Sequence, residues 1–186
     1  MSEVKNFRKQ FWKERKTVGS MTPSSRFLTQ KMLRNIDFSK RKVIVELGPG
    51  TGVFTREIIK KMTPDSILLV FEINDTFFQD LSKKISDSRV HLIHDSAVKI
   101  EEYLSKYDLQ EADVVISSLP LAVIDANIRS AILENTKKSL KKGGKFIQFQ
   151  YSLQSKGLLK KLYKEIKISF TILNFPPAFV YTCRNK

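Results

Sequence analysis

Residues 42–58 read KVIVELGPGTGVFTREI, and the way this stretch divides decides the fold. KVIVELG (42–48) is near-continuously apolar and rich in β-branched residues, the pattern of a strand buried on both faces. TGVFTREIIKKM (51–62) then takes up helical spacing, with Val53, Ile58, Ile59 and Met62 expected inward. Between them, glycines at 48, 50 and 52 allow a sharp turn and a close approach of backbone to a ligand.

Outward from this unit the alternation continues. SILLVFE (66–72) reads as a strand, DTFFQDLSKKI (75–85) as a helix and RVHLIHD (89–95) as a strand. ADVVISS (112–118) follows as a strand, ANIRSAILENTKKSL (126–140) as a helix, GKFIQFQY (144–151) as a strand and GLLKKLYKEI (157–166) as a helix. ISFTIL (168–173) and AFVYT (178–182), separated by NFPP, form a closing antiparallel pair. The implied fold class is α/β, a mostly parallel sheet with helices on both faces, whose ligands bind outside the carboxyl ends of the strands.

The 186 residues suit a single domain. One cysteine, Cys183, leaves no intramolecular disulfide and fits a reducing cytoplasm. The sequence shows no apolar run of bilayer length and no signal-peptide core, so cytoplasmic localisation with peripheral membrane association is expected. His91 and His94 read as strand residues, and no residue is assigned to a metal. The net charge of +14 is concentrated. Residues 1–34 carry nine Lys/Arg and two Glu, and residues 141–167 carry eight Lys and one Glu, so each segment holds +7 and the remainder is neutral. Two basic segments of this kind suit an anionic lipid surface or a nucleic acid.

The strand ends carry the candidate chemistry. The first offers Glu46, Gly48, Pro49, Gly50, Thr51 and Gly52. Its G-x-G-x-G spacing is neither the G-x-G-x-x-G of a dinucleotide site nor a phosphate loop, and a negative Glu46 would favour a ligand with a cationic end. The second ends in Glu72, Ile73 and Asn74, with the acid placed to accept from ribose hydroxyls. The third ends in Asp95, Ser96 and Ala97, which can meet an adenine amino group, and the fourth in Ser117, Ser118, Leu119 and Pro120.

Taken in order, ELGPGTG, FEIN, HDSA and SSLP resemble the class I S-adenosylmethionine-dependent methyltransferases over about residues 40–151. The resemblance implies a Rossmann-like seven-stranded sheet with an antiparallel C-terminal hairpin and S-adenosyl-L-methionine as cofactor. By it, Glu46 and the glycine loop face the methionine portion, Glu72 the ribose and Asp95 the adenine. VGSMTPSSRFLTQKM (18–32), SSLPL, FIQFQYS and NFPPAFVY look more narrowly like the bacterial phospholipid N-methyltransferases, which act on phosphatidylethanolamine. The acceptor would then be an aminophospholipid. Ser117, Ser118, Leu119 and Pro120 would shape its pocket, with Tyr151 and Tyr181 as candidate contacts for a growing cation. Asp125 reads more simply as a helix cap than as a base.

Two rivals stand beside this reading. Ribosomal RNA adenine dimethylases share the fold and carry Asn-Leu-Pro-Tyr or a near relative at the fourth strand. Here Ser118-Leu119-Pro120-Leu121 lacks both the Asn and the aromatic that stacks on a flipped base, which counts against a nucleic acid without excluding it. A noncatalytic membrane adaptor would have no need of the cofactor loop. No protein partner follows from the sequence.

The single domain divides into a basic amphipathic helix (1–17), a cofactor-covering segment (18–39) and a catalytic core (40–186). At helical spacing Val4, Phe7, Phe11 and Val18 form a stripe bordered by Trp12, with Lys5, Lys9, Lys13 and Lys16 on the flanks and far side. Together with Arg8, these side chains suit a helix lying in a membrane interface, where each cation contributes about 1 kcal/mol before screening. Ser24 or Ser25 is expected to cap the next helix, with Met21 and Arg26 bordering the site. In the stretch KGLLKKLYKEIK, apolar residues pack while five lysines stay in water.

Overall fold

The computed structural model describes residues 26–186. The expected membrane-binding side chains Lys5, Phe7, Arg8, Lys9, Phe11, Trp12 and Lys13, with Met21, Ser24 and Ser25, lie outside the described residues. From Arg26 the order is α1 (Arg26–Leu33), β1 (Val43–Leu47), α2 (Val53–Lys61), β2 (Ile67–Phe71), α3 (Asp75–Lys84) and β3 (Val90–Ile93). Then follow α4 (Ile100–Lys106), β4 (Ala112–Ser117), α5 (Ala126–Ser139), β5 (Leu140–Gln150), α6 (Lys156–Leu162), β6 (Glu165–Thr171) and β7 (Ala178–Arg184).

The seven strands form one sheet in the order β3-β2-β1-β4-β5-β7-β6. Strands β1 to β5 pair in parallel, and β7 runs antiparallel to both β5 and β6. The order reverses between β1 and β4, which places the ligand crevice at their carboxyl ends. Each face is closed by its own apolar cluster. Ile44, Leu68, Val114, Ile116 and Ile147 meet Leu28 and Met32 of α1 and Phe54 and Ile58 of α2 on one side. Val45, Leu69, Val115 and Phe146 meet Ile100, Leu104, Ile132, Leu133 and Leu159 on the other. At their amino ends β1 and β4 are tied by Asp113, whose Oδ2 accepts from the Lys42 and Val43 amides at 2.8 and 2.9 Å.

Several boundaries differ from the sequence expectations. The helix expected over 157–166 stops at Leu162, and β6 runs over 165–171 rather than 168–173, because Glu165 already pairs with Arg184 of β7. Ile166 satisfies helical spacing with Leu162 and strand alternation with Ile168 equally well, and the ladder decides between them. Strand β5 begins at Leu140, four residues early, with Gly143 carried inside the strand instead of preceding it. Helix α4 was not anticipated, although Ile100, Tyr103, Leu104 and Tyr107 have the spacing for it. In α2 the buried residues are Phe54, Thr55 and Ile58, while Val53 and Ile59 are half-buried. His91 lies in β3, but His94 falls just beyond it, 3.0 Å from Asp75.

Candidate active site

The glycine turn joins β1 to α2 in a left-handed path. Gly48, Gly50 and Gly52 have φ of 72°, 56° and 76°, a region L-residues rarely enter. The turn is held from both sides. Gly48 N donates to the Phe71 carbonyl at 2.9 Å, and Gly52 N closes onto Pro49 O at 3.0 Å. A Cβ on Gly48 would stand 2.8 Å from Leu119 Cδ2, and one on Gly52 would stand 2.6 Å from Leu81 Cδ2. Thr51 is exposed at the crest and Pro49 is buried beneath it. Arg56 Nη1 donates to the Thr51 carbonyl at 3.0 Å.

Glu72 stands at the end of β2 and joins this turn directly. Its Oε2 accepts from Gly50 N at 3.2 Å and its Oε1 from Asn74 N at 2.8 Å. Glycine loop and second acid, 22 residues apart in sequence, are thus one assembly. Ile73 is half-buried beside them, and Asn74 caps α3 by accepting from Phe77 N at 2.9 Å.

Glu46 departs from its expected role as a fixed negative charge. It is fully buried, and neither carboxyl oxygen has a hydrogen-bond partner among the described residues. Thr55 of α2 lies beside it, yet the Thr55 hydroxyl is likewise without a bond of ordinary geometry. Burial pushes the Glu46 carboxyl up to about 8, and the nearby charge of Glu72 pushes the same way. At neutral pH a value near 8 leaves the group mostly protonated.

At the third strand end, Asp95 is half-buried and already engaged. It accepts from Ser96 N at 2.7 Å, Lys99 Nζ at 2.9 Å and the Tyr103 hydroxyl at 3.1 Å. Burial raises its pKa, but these donors outweigh burial and leave it below the usual carboxylate value. Ser96 caps the short 3-10 turn Ala97–Lys99, and Ala97 packs into the core.

The fourth strand end leans on the first. Ser118 N donates to Leu47 O at 2.9 Å, which fixes the SSLP loop against β1. Ser117 is fully buried and its hydroxyl accepts from Leu119 N at 3.3 Å. The Ser118 hydroxyl is buried with no partner among the described residues. Pro120 is half-buried and Leu121 fully buried. Two residues that sequence reading missed complete the loop. Gln148 and Gln150 each donate from Nε2 to the Leu119 carbonyl at 2.9 Å. Their signal was present in FIQFQ, as two amides alternating on one face of an otherwise apolar central strand. The Leu121 amide donates to the same oxygen at 2.9 Å, so three donors converge on that carbonyl and hold the loop backbone.

Tyr151 follows β5, half-buried and edge-on to Phe149 at 5.6 Å between ring centres. Tyr181 is a core residue: it is fully buried and its hydroxyl donates to the Ser152 carbonyl at 3.2 Å. Asp125 is the N-cap of α5, accepting from Asn127 N and Ile128 N. Cys183 is buried, which pushes its thiol up to about 12 and leaves it unreactive.

Bare backbone at the first strand end, a carboxylate at the second and a buried carboxyl without a partner fit a nucleoside that carries a cationic amino-acid arm. Sheet order and site together define a class I S-adenosylmethionine-dependent methyltransferase. Solved structures share this fold. They include the N-methyltransferase NodS of Bradyrhizobium japonicum with S-adenosylhomocysteine (TM-score 0.67, 13% identity, 86% of each chain). A ribosomal RNA methylase of Streptococcus thermophilus also matches (TM-score 0.62, 15% identity, 86% of this chain and 95% of that one). A family model described as ribosomal RNA adenine dimethylase matches residues 12–148, and the chain belongs to that family.

Among curated relatives, the ornithine lipid N-methyltransferase of Singulisphaera acidiphila is 27% identical over 94% of this chain and 92% of its own length. Ribosomal RNA small subunit methyltransferase A of Sulfurihydrogenibium is 31% identical over 66% of this chain and 48% of its own. The same enzyme from Mycoplasma capricolum is 28% identical over 55% and 38%. The chain thus spans less than half the length of these two ribosomal RNA enzymes.

Proposed function

We propose that this methyltransferase acts on the amine headgroup of phosphatidylethanolamine-type lipids at a membrane surface. One observation carries the reading: the end-to-end match to a lipid N-methyltransferase, set against matches to ribosomal RNA enzymes more than twice as long as the part shared. The acceptor loop supports it. A flipped base needs an aromatic ring to stack on, and position 121 holds a buried leucine.

Bound S-adenosylmethionine supplies a methyl group on a sulfonium, transferred in line to a neutral amine. The glycine turn and Glu72 hold the nucleoside end, with Glu72 accepting from ribose hydroxyls. Asp95 with Ser96 and Ala97 borders the base. Glu46, buried at the end of β1 beside the glycine turn, would face the cationic arm of the bound donor and favour it over neutral analogues. On the acceptor side, the unpaired Ser118 hydroxyl accepts a hydrogen from the incoming amine and aims its lone pair. The Leu119 carbonyl, held by three donors, keeps that loop in place, and Pro120 and Tyr151 shape the mouth. Positioning of this kind is the main demand when the nucleophile arrives neutral.

A second reading, methylation of ribosomal RNA adenine, is favoured by the family match. Purified protein and methyl-labelled cofactor decide between them when offered phosphatidylethanolamine vesicles, ornithine-lipid vesicles or small-subunit ribosomal RNA. Label in phosphatidylethanolamine is expected. Label in ornithine lipid alone would move the acceptor to another aminolipid, and label in RNA alone would replace the reading.

A further inference from the structure

Among the described residues, six large apolar side chains are exposed toward one end of the sheet: Phe27, Leu153, Phe170, Ile172, Leu173 and Phe175, from 44% to 86% exposed. Their clustering follows from topology. Strand β7 is antiparallel to β5 and β6 is antiparallel to β7, so β6 runs in the direction of β5. The turn from β6 to β7, residues 172–177, therefore emerges at the sheet edge that carries Glu72, the glycine turn and the SSLP loop. Leu153 follows β5 at that same edge. Phe27 lies one helical turn before Lys31 on the same face of α1, and Lys31 Nζ donates to the Phe170 carbonyl at 2.5 Å. The Phe170 ring packs on Phe179 at 4.8 Å.

The turn is built to hold its apolar side chains outward. Asn174 is buried and donates from Nδ2 to the Pro176 carbonyl at 2.7 Å, across Phe175. Phe175 is left the most exposed of the six, at 86%. A contiguous apolar tip on a soluble chain marks a contact surface. The charge around it selects the occupant. α1 and α6, which start at this end of the sheet, carry Arg26, Lys31, Lys156, Lys160 and Lys161, and residues 151–164 contain no acid. α1 and the 172–177 turn contain no acid. A second copy would set this lysine-rich surface against itself. Residues 1–25, with six Lys/Arg and two Glu, would also bring like charge. An anionic bilayer satisfies both features, with apolar side chains at the acyl boundary and cations at the headgroups.

We propose that the β6–β7 tip, flanked by Phe27 and Leu153, inserts into an anionic membrane and seats the site's rim on the headgroup layer. The inference rests on the lipid reading above and adds to it: the amine reaches Ser118 while its acyl chains remain in the bilayer. The test uses the full chain with Phe175→Cys carrying an environment-sensitive fluorophore; buried Cys183 does not compete for the reagent. On vesicles of phosphatidylethanolamine and phosphatidylglycerol the emission should shift to the blue and be quenched by lipids with nitroxide-labelled acyl chains. The same label at Glu111→Cys, ahead of β4, should not respond.

A Phe175 label that stays in water on bound protein overturns the proposal. So does one already shifted before vesicles are added, which would mean that the chain covers its own tip, or one that responds to RNA and not to vesicles. Ile172→Ser, Leu173→Ser and Phe175→Ser combined should weaken vesicle partition at least about tenfold. Turnover of a short-chain, water-soluble aminolipid should be kept. If the lipid is methylated while residue 175 stays in water, docking fails and the methylation reading stands. If residue 175 inserts and no lipid is methylated, the methylation reading fails and docking stands.

Discussion

Glu46 shows how a single residue ties the fold's stability to the ligand's charge. Its carboxyl has an ordinary value of 4.5 and a folded value near 8, chiefly through burial. The folded chain thus holds a proton that the unfolded chain has lost, and the sign follows from linkage. The contribution is complete below pH 4.5, declines as pH rises through the window and is gone above about 8. Glu46→Gln should flatten this decline, so denaturant midpoints of variant and wild type should diverge as pH rises from 6 to 8.5, with the variant the more stable. Equal slopes would remove the buried-acid account. Glu72 is held differently, its carboxylate accepting from the Gly50 and Asn74 amides. Glu72→Ala should weaken S-adenosylmethionine binding by at least about tenfold, the equivalent of one lost charge-assisted contact. Calorimetry that finds unchanged affinity would withdraw the ribose assignment.

At the scale of elements, what the sequence revealed depended on whether neighbours were needed to decide. β1, β2 and β4 were legible because strands buried on both faces read as unbroken apolar runs. The glycine turn was legible because the backbone path demands its residue type. β6 was not, because its start is decided by Arg184 across the ladder, 19 residues later in the chain. The joining of Gly50 to Glu72 was anticipated from strand ends alone, whereas the amides of Gln148 and Gln150 became meaningful only once the Leu119 carbonyl stood between them. Glu46 was expected to carry a negative charge, and the burial that pushes its carboxyl up is not written in sequence. Asp113, which links β1 to β4 at the far end of the sheet, is the element-scale test. Its removal strands two amides and leaves Lys141 and Arg41 without their partner. Asp113→Ala should cost about 2–4 kcal/mol in denaturant unfolding, and the folded variant should bind cofactor as wild type does. A change below 0.5 kcal/mol, on the order of a surface substitution, would show that the link is idle.

For the whole molecule, the question is how a donor site and a bilayer are brought together. Among the described residues no helix is long and apolar enough to cross a membrane, so contact has to come from surfaces. In the docking proposed above, the basic residues 1–17 would supply attraction and the exposed tip depth, which makes their contributions separable. Deleting residues 1–17 should lower partition onto anionic vesicles at least about tenfold and leave S-adenosylmethionine affinity unchanged. Salt should weaken the remaining binding less steeply than that of the full chain. Undiminished vesicle binding would take the membrane role away from that segment.

The order of strands in the sheet has a consequence for biosynthesis. β7 is made after β6 yet sits between β6 and β5, so β6 has no ladder partner until β7 has cleared the ribosome. The parallel half can condense during translation, but its last two strands must wait and then enter together. During that interval an unpaired edge is open to other chains. The same apolar turn proposed to seek lipid would leave the ribosome just before the strand that secures it, and a nearby bilayer at that moment would shelter the nascent protein.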